Sequence, residues 1–196
     1  MLVKTKDIII TGVYAAMYFI FVCLGTLVSV LVEHNANMKY APAFTALFAG
    51  TVYMLLIAKT KKFGNISLLA AVMSLFFFLS GHFVLSFLPS LICGVAADLI
   101  AKIGNYEKKL LNLLSYVVFS FGNLAPIMMM WVVREAYINR LVARGKSETY
   151  ISEVMIDFNL GNVAWLSLCI VLGALIGGLF GQYMLKKHFS KAGLVK

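Results

Sequence analysis

Long apolar runs alternate with short polar or basic segments along the whole chain. A helix needs about 20 apolar residues to cross the hydrocarbon core of a bilayer. The pattern therefore predicts six membrane-spanning helices, at about residues 8–32, 40–58, 63–81, 83–101, 110–133 and 158–185. The third and fourth spans share one run without formal charge, from Phe63 to Ala97, so both are short and a tight turn at Ser80-Gly81-His82 joins them.

The longest polar stretch, residues 134–157, follows the fifth predicted span. Tyr137, Leu141 and Val142 recur there at helical spacing, while Gly145 and Ser147 are typical of a helix end followed by a new N-cap. We expect a short helical excursion on the membrane surface. The predicted fold class is an all-α integral membrane protein, a single domain over residues 1–196 built as a six-helix bundle.

Composition supports the membrane assignment. The chain is 62% hydrophobic and 13% charged, with a mean hydropathy of +0.92, whereas soluble domains are about 45–50% apolar and about 25% charged. The net charge of +9 does not indicate a nucleic-acid partner, because the lysines cluster between apolar runs. Three separated cysteines inside apolar runs, Cys23, Cys93 and Cys169, favour small core residues over disulfides.

The basic residues also predict an orientation. With the N-terminus inside, 12 of the 17 Lys and Arg residues fall in cytoplasmic segments and 5 in outer ones. Because cytoplasmic loops carry an excess of Lys and Arg, both termini are expected in the cytoplasm. The excursion at 134–157 then lies outside, together with the histidines His34 and His82.

Polar and soft side chains near the outer side are the candidate substrate ligands. Inside a membrane bundle such groups normally line a cavity or bond to a neighbouring helix. Two alternatives to ligand binding remain open. Trp131 and Tyr137 are equally expected as interfacial aromatic residues, and His82 as a turn histidine bonded to the backbone. The predicted substrate-binding residues are His34, Asn37, His82, Asn123, Met130, Trp131, Arg134, Tyr137 and Asn162.

Small residues at four-residue spacing let helix backbones approach closely in lipid. They serve either internal packing or contact with a partner subunit, and for contact with a partner the candidates are Gly12, Ala16, Ser67, Ala71, Gly173 and Gly177. Asp98 is the one acid within a predicted span. It is either functional or paired with Lys102 one helical turn later.

Enzyme motifs are missing from the sequence. The segment RGKS at 144–147 resembles the end of a phosphate-binding loop, but the first glycine of that motif is replaced by Arg140. Paired carboxylates, H-E-x-x-H and G-x-S-x-G do not occur. We therefore expect a non-catalytic protein without an ATPase or a metal centre of its own.

Three stretches carry a family resemblance: PAFTALFAGTVYMLLIAKTKKFGNI at 42–66, FLSGHFVLSFLPSLICGVAADLI at 78–100 and GALIGGLFGQYMLKKHFSKAGLV at 173–195. With six predicted spans and a small-residue face on the first, the chain resembles the S component of an energy-coupling factor (ECF) transporter. More narrowly, it is similar to the Trep_Strep S-component family.

That resemblance implies a function. An S component binds a vitamin or cofactor precursor at the outer face of the bacterial cell membrane. It then docks on a T subunit, coupled to two cytoplasmic ATPases, through small residues on the first span, here Gly12 and Ala16. Haem is a minority candidate as the transported ligand, held through His34 or His82. No intrinsic cofactor is expected, and the alternative is an autonomous secondary transporter or small channel.

Overall fold

The computed structural model describes residues 5–34, 38–79 and 83–189, which form helices and turns with no strand among them. The α-helices are α1 (Thr5–Glu33), α2 (Ala41–Phe48), α3 (Gly50–Thr60), α4 (Asn65–Leu79), α5 (Phe87–Ile103), α6 (Lys109–Phe121), α7 (Ala125–Val132), α8 (Arg134–Ala143), α9 (Glu148–Val154) and α10 (Leu160–Met184). Short 3-10 turns cover Val84–Ser86 and Gly122–Leu124, and a π turn, Leu185–Phe189, follows α10.

Three helical segments of the described chain are long and apolar enough to cross a membrane: Thr5–Glu33, Lys109–Val132 and Leu160–His188. The pair α2 and α3, bent by 51°, makes up to four. Helices α4 and α5, with 15 and 17 residues, are shorter. The all-helical membrane class is thereby confirmed, while the count of six crossings and the sides of the two termini stay predictions.

Two of the predicted spans depart from a single regular α-helix. The span expected at 40–58 bends between α2 and α3, where Gly50 meets the backbone of Gly177 and Gly178 so closely that no Cβ would fit. The span expected at 110–133 is one helical segment that tightens into a 3-10 turn before Pro126, whose ring nitrogen has no hydrogen to donate. The turn predicted at Ser80-Gly81-His82 lies outside the described residues.

Aromatic residues fill the centre of the bundle. Tyr18, Tyr53 and Tyr116 are fully buried, and Tyr53 packs 4.8 Å from Tyr116 and 4.9 Å from Phe119 between ring centroids. Their hydroxyl groups are satisfied. Ser115 Oγ donates to the Ala97 carbonyl at 2.7 Å, so the Tyr53 hydroxyl is the donor in its own 2.7 Å bond to Ser115. The Tyr116 hydroxyl donates to the Ala46 carbonyl, one turn before the bend.

The glycines of α10 pack inside the molecule. A Cβ on Gly173 would clash with the Ala43 carbonyl, and one on Gly177 with the Ala46 carbonyl. A Cβ on Gly181 would lie 2.7 Å from the Gly50 carbonyl. These glycines therefore allow α10 to lie directly against α2 and α3. The assignment of Gly173 and Gly177 to a partner subunit was wrong, and the internal alternative is what the structure contains.

Asp98 is a structural residue. One carboxylate oxygen accepts from the Gly64 N–H at 2.8 Å and from the Ser67 N–H at 3.0 Å and Oγ at 2.8 Å, and the other accepts from the Tyr106 hydroxyl at 2.9 Å. The carboxylate thus caps the N-terminus of α4, where a negative charge also favours the helix dipole. The predicted pair with Lys102 does not form, since that ammonium lies over the Phe63 ring.

The remaining small-residue pairs differ in exposure. Ser67 and Ala71 are both half-buried on α4, and the Ser67 hydroxyl donates to Asp98, so the assignment of these two residues to a partner subunit stays a prediction. Gly12 and Ala16 both lie on the exposed face of α1, and a Cβ on Gly12 would have no atom within 4 Å. Among the predicted partner-contact residues, this pair on α1 is the exposed one.

Candidate functional site

A cavity of about 740 Å³ opens at the end of the bundle where α1 finishes and α2 begins. Helices α1, α2, α4 and α7 form its wall, and α8, α9 and the turn between them cover it. Its described lining consists of Val22, Cys23, Thr26, Leu27, Val30, Met38, Ala41, Pro42, Thr45, Phe76, Phe77, Asn123, Pro126, Ile127, Met130, Tyr137, Leu141, Arg144, Lys146, Tyr150 and Val154.

The deep part of the lining is mostly apolar, with a few polar groups fixed by the fold. Asn123 lies in the 3-10 turn between α6 and α7, and its amide donates to the Tyr18 hydroxyl at 2.9 Å. Thr45 is buried at the close approach of α2 to Gly25. Small-molecule sites commonly combine an apolar wall with a few placed polar groups and fall in this volume range.

The turn between the two helices of the cover forms where the sequence predicts it. Gly145 ends the α8 segment with φ +72°, which an L side chain rarely adopts, and Ser147 caps α9 by accepting from the Tyr150 N–H at 3.2 Å. This confirms the predicted helix stop and N-cap. The turn brings Lys146 over the Tyr150 ring, 4.6 Å from its centroid, so that both line the cavity.

Tyr137 joins the cover to the segment that precedes α5. It is buried and stacks on Phe83 with ring centroids 5.9 Å apart. Burial raises the pKa of Tyr137, Tyr150 raises it further, and the nearby Arg140 and Arg144 partly offset this. Its hydroxyl therefore stays protonated at neutral pH, with two guanidinium groups in its surroundings.

Three of the nine predicted substrate ligands line the cavity: Asn123, Met130 and Tyr137. Four others are described and do not line it: His34, Trp131, Arg134 and Asn162. The last two, Asn37 and His82, lie outside the described residues.

The four predicted ligands that do not line the cavity have other contacts or positions. Arg134 forms a 3.0 Å ion pair with Asp157, and Asn162 donates to the Asp157 carbonyl at 2.8 Å while its own N–H is capped by Asn159. Trp131 packs on Phe158, 5.9 Å between centroids. His34 is exposed at the end of α1. The sequence identified polar residues at the correct end of the bundle but not the direction of each side chain.

Two basic lining residues were missed as ligands. Arg144 and Lys146 lie in the segment RGKS, which was considered only as a nucleotide-binding motif and rejected as such. The sequence offered one signal for them as ligands, which was their position between the two helical segments of the excursion. Cys23 was also missed: it is exposed on α1 and lines the cavity, which makes the core prediction wrong for this cysteine.

The loop after α1 is anchored beside the cavity. Glu33 accepts from the Ser29 hydroxyl and from the Tyr40 N–H at 3.1 Å, and its second oxygen is buried with no partner among the described residues. The Tyr40 hydroxyl accepts from Trp165 Nε1 at 3.1 Å. Tyr40, at the end of the loop, is therefore held against both α1 and α10.

A second cavity, of about 410 Å³, lies at the opposite end of the bundle. Lys61 there forms a 2.9 Å ion pair with Glu107, and the hydrogen bond from this lysine lowers the pKa of the exposed Glu107 carboxyl. The described residues contain no group of three or more His, Cys, Asp or Glu that could hold a metal ion.

The apolar helices define the class: a multi-pass integral membrane protein, here with a cavity at one end of the helix bundle. A family model described as a hypothetical bacterial integral membrane protein (Trep_Strep) matches residues 5–191. The chain belongs to this family. No curated protein and no solved structure matches it.

Proposed function

We propose that the chain is the substrate-binding S component of an ECF-type importer in the bacterial cell membrane. It captures a vitamin, cofactor precursor or related micronutrient from the outside and is itself non-catalytic. A T subunit and two cytoplasmic ATPases supply ATP hydrolysis, and the S component reorients on the T subunit to deliver its ligand. The termini are cytoplasmic in this proposal, so the 740 Å³ cavity opens outward.

The single observation that carries the proposal is the covered cavity. It lies at one end of the bundle, with an apolar wall from α1, α2, α4 and α7 and a cover from the excursion α8–α9. A receptor for a scarce solute needs such a space, which buries most of the ligand surface and fixes its orientation with a few polar groups.

The exposed face of α1 supports the proposed coupling. Gly12 and Ala16 lie one helical turn apart with open space beside Gly12. Small residues at this spacing allow a second helix to approach within van der Waals distance of the backbone. This face is the proposed contact with the T subunit.

The bend between α2 and α3 favours the alternative, an autonomous secondary transporter, because broken helices often form transport sites. Such sites use released backbone carbonyls as ligands. Here the Ala46 carbonyl beside the bend accepts from Tyr116, and the Ala49 N–H still donates to Thr45. The bend thus offers few free backbone ligands to an ion, and the receptor function remains the proposal.

The test is co-purification with coupling subunits. The tagged chain is expressed together with the T subunit and both ATPases of a bacterium that carries this chain. The complex is then isolated in mild detergent. We expect a stoichiometric complex that takes up ligand into proteoliposomes only with ATP. Gly12→Trp, which blocks the α1 face, should abolish the complex, whereas Val13→Trp on the neighbouring exposed position serves as the control for size alone.

Native mass spectrometry and an absorption spectrum of the same sample identify the ligand. A Soret band would assign haem, although no described lining residue is a histidine. Uptake by the chain alone, driven by an ion gradient, would overturn the receptor proposal in favour of the secondary transporter.

A further inference from the structure

The charged residues of the large cavity all carry one sign. Among its described lining residues Arg144 and Lys146 are cationic, and none is Asp or Glu. Both are exposed at the cover, while the wall below them is made of aliphatic and aromatic side chains with Asn123 and Thr45. The cavity therefore has a cationic mouth and an apolar interior.

The positive character extends beyond the lining. Arg140 lies one helical turn before Arg144 on α8, and its Nε is buried without a hydrogen-bond partner among the described residues. A buried N–H donor that stays unpaired is costly, so an acceptor at this place is favoured. Both arginines also lower the pKa of Tyr137, a buried residue that lines the same cavity as Arg144.

The depth of the apolar part follows from α1. Lining residues on this helix run from Val22 to Val30, a separation of eight positions, which is about 12 Å at the helical rise. Phe76, Phe77 and Met130 contribute to the same interior. This length accommodates a ring system or a short chain below a head group held at the mouth.

We propose that the ligand of this cavity is a water-soluble amphipathic anion: an apolar or aromatic body bearing a carboxylate, sulfonate or phosphate. The anionic group binds at Arg144 and Lys146, next to Tyr137 and Tyr150, and the body lies against α1 and α7. This inference deepens the proposed receptor function and rests on it. Low-dielectric walls around a cationic mouth raise the local concentration of anions and disfavour cations.

The test compares probes that share one body and differ in charge. Naphthylacetate, naphthylacetamide and naphthylethylamine are titrated by isothermal calorimetry against the purified chain in phosphatidylcholine nanodiscs. We expect the anion to bind at least about tenfold more tightly than the amide, the equivalent of one charge-assisted hydrogen bond, and the amine to bind least. The double variant Arg144→Gln/Lys146→Gln should lose this preference and keep the affinity for the amide.

The matched control is Lys6→Gln/Lys108→Gln, which removes the same charge from exposed positions at the opposite end of the bundle. It should leave the preference unchanged. Equal binding of anion and amide, or no binding of any anionic probe up to millimolar concentration, overturns the proposal. Competition by phosphatidylglycerol added to the nanodiscs would assign the site to a lipid headgroup and also overturn it.

The S-component proposal and the ligand-class proposal can each fail without the other. If the anion preference is found but no complex with the coupling subunits forms, the ligand class stands and the S-component role fails. If the ATP-driven complex forms and its ligand is neutral, the ligand class alone fails.

Discussion

At the scale of single residues, Asp98 shows how a buried charge can be structural. Its carboxylate receives four hydrogen bonds, three of them from Gly64 and Ser67 at the N-terminus of α4, and Asp98 is not among the described lining residues of either cavity. From the sequence alone, an acidic residue inside a membrane span is a candidate functional residue. The bonds that change this interpretation come from residues more than 30 positions away, Gly64 and Ser67.

Replacing Asp98 with Ala should destabilise the protein strongly. The change removes the acceptor of the half-buried Gly64 and Ser67 N–H groups and of the buried Tyr106 hydroxyl, which costs about 3 kcal/mol and lowers the melting temperature by about 6–12 °C. Thermal unfolding in detergent measures it. Asp98→Asn is the control: its amide oxygen still accepts from α4 and its nitrogen can donate to Tyr106, so the loss should be less than half. A stable Asp98→Ala protein that no longer binds ligand would contradict this structural role.

The Arg134–Asp157 pair gives a second prediction at this scale. Because both side chains are largely exposed, the ion pair contributes at most about 1 kcal/mol. Arg134→Gln should therefore shift the melting temperature by a few degrees and leave ligand affinity within twofold. Asp157→Asn should reproduce the shift, and the double variant should add nothing to it. A tenfold loss of ligand affinity in Arg134→Gln alone would return this arginine to the binding site.

At the scale of helices, the contact of α10 with α2 and α3 depends on missing side chains. Gly173, Gly177 and Gly181 recur at one-turn intervals, and each faces a carbonyl oxygen of the bent pair. The regular spacing indicated a packing face, but spacing alone does not distinguish an internal neighbour from a partner subunit. The bend supplies the distinction, since it turns the backbone of α2 and α3 toward α10.

Alanine at Gly173 or Gly177 should separate these helices. The added methyl group has no space beside the Ala43 or Ala46 carbonyl, so we expect a loss of about 2 kcal/mol or more, seen as a lower melting temperature. Gly12→Ala, on the exposed face of α1, is the matched control and should be neutral or slightly stabilising because alanine favours helices by up to about 1 kcal/mol. Equal effects at all three positions would contradict the internal packing.

At the scale of the whole molecule, the polar and charged groups separate between the two ends. One end holds the cavity and its cover, and the other holds the turn at 61–64, the turn at 104–108 and the basic π turn after α10. The contacts Lys62–Asp7 and Lys61–Glu107 tie segments of this second end together. The excess of lysine there is the basis of the predicted cytoplasmic side.

Cysteine labelling measures this orientation. Ala143→Cys on α8 and Lys187→Cys in the π turn are exposed positions at opposite ends, introduced after Cys23, Cys93 and Cys169 are replaced by alanine. A membrane-impermeant maleimide should label Ala143→Cys in intact cells and Lys187→Cys only after lysis. The reverse pattern would invert the topology and place the cavity on the cytoplasmic side.

The sequence by itself determined the membrane class, the approximate position of each helix and the capped excursion α8–α9. These features depend on local properties: the length of apolar runs, the conformational freedom of Gly145 and the capping oxygen of Ser147. Only the tertiary structure decided which side chains face the cavity, which glycines are internal and what Asp98 binds. Each of these depends on the rotation and bending of helices against distant segments, as for Asn123 beside Tyr18, and hydrophobic periodicity carries no information about such contacts.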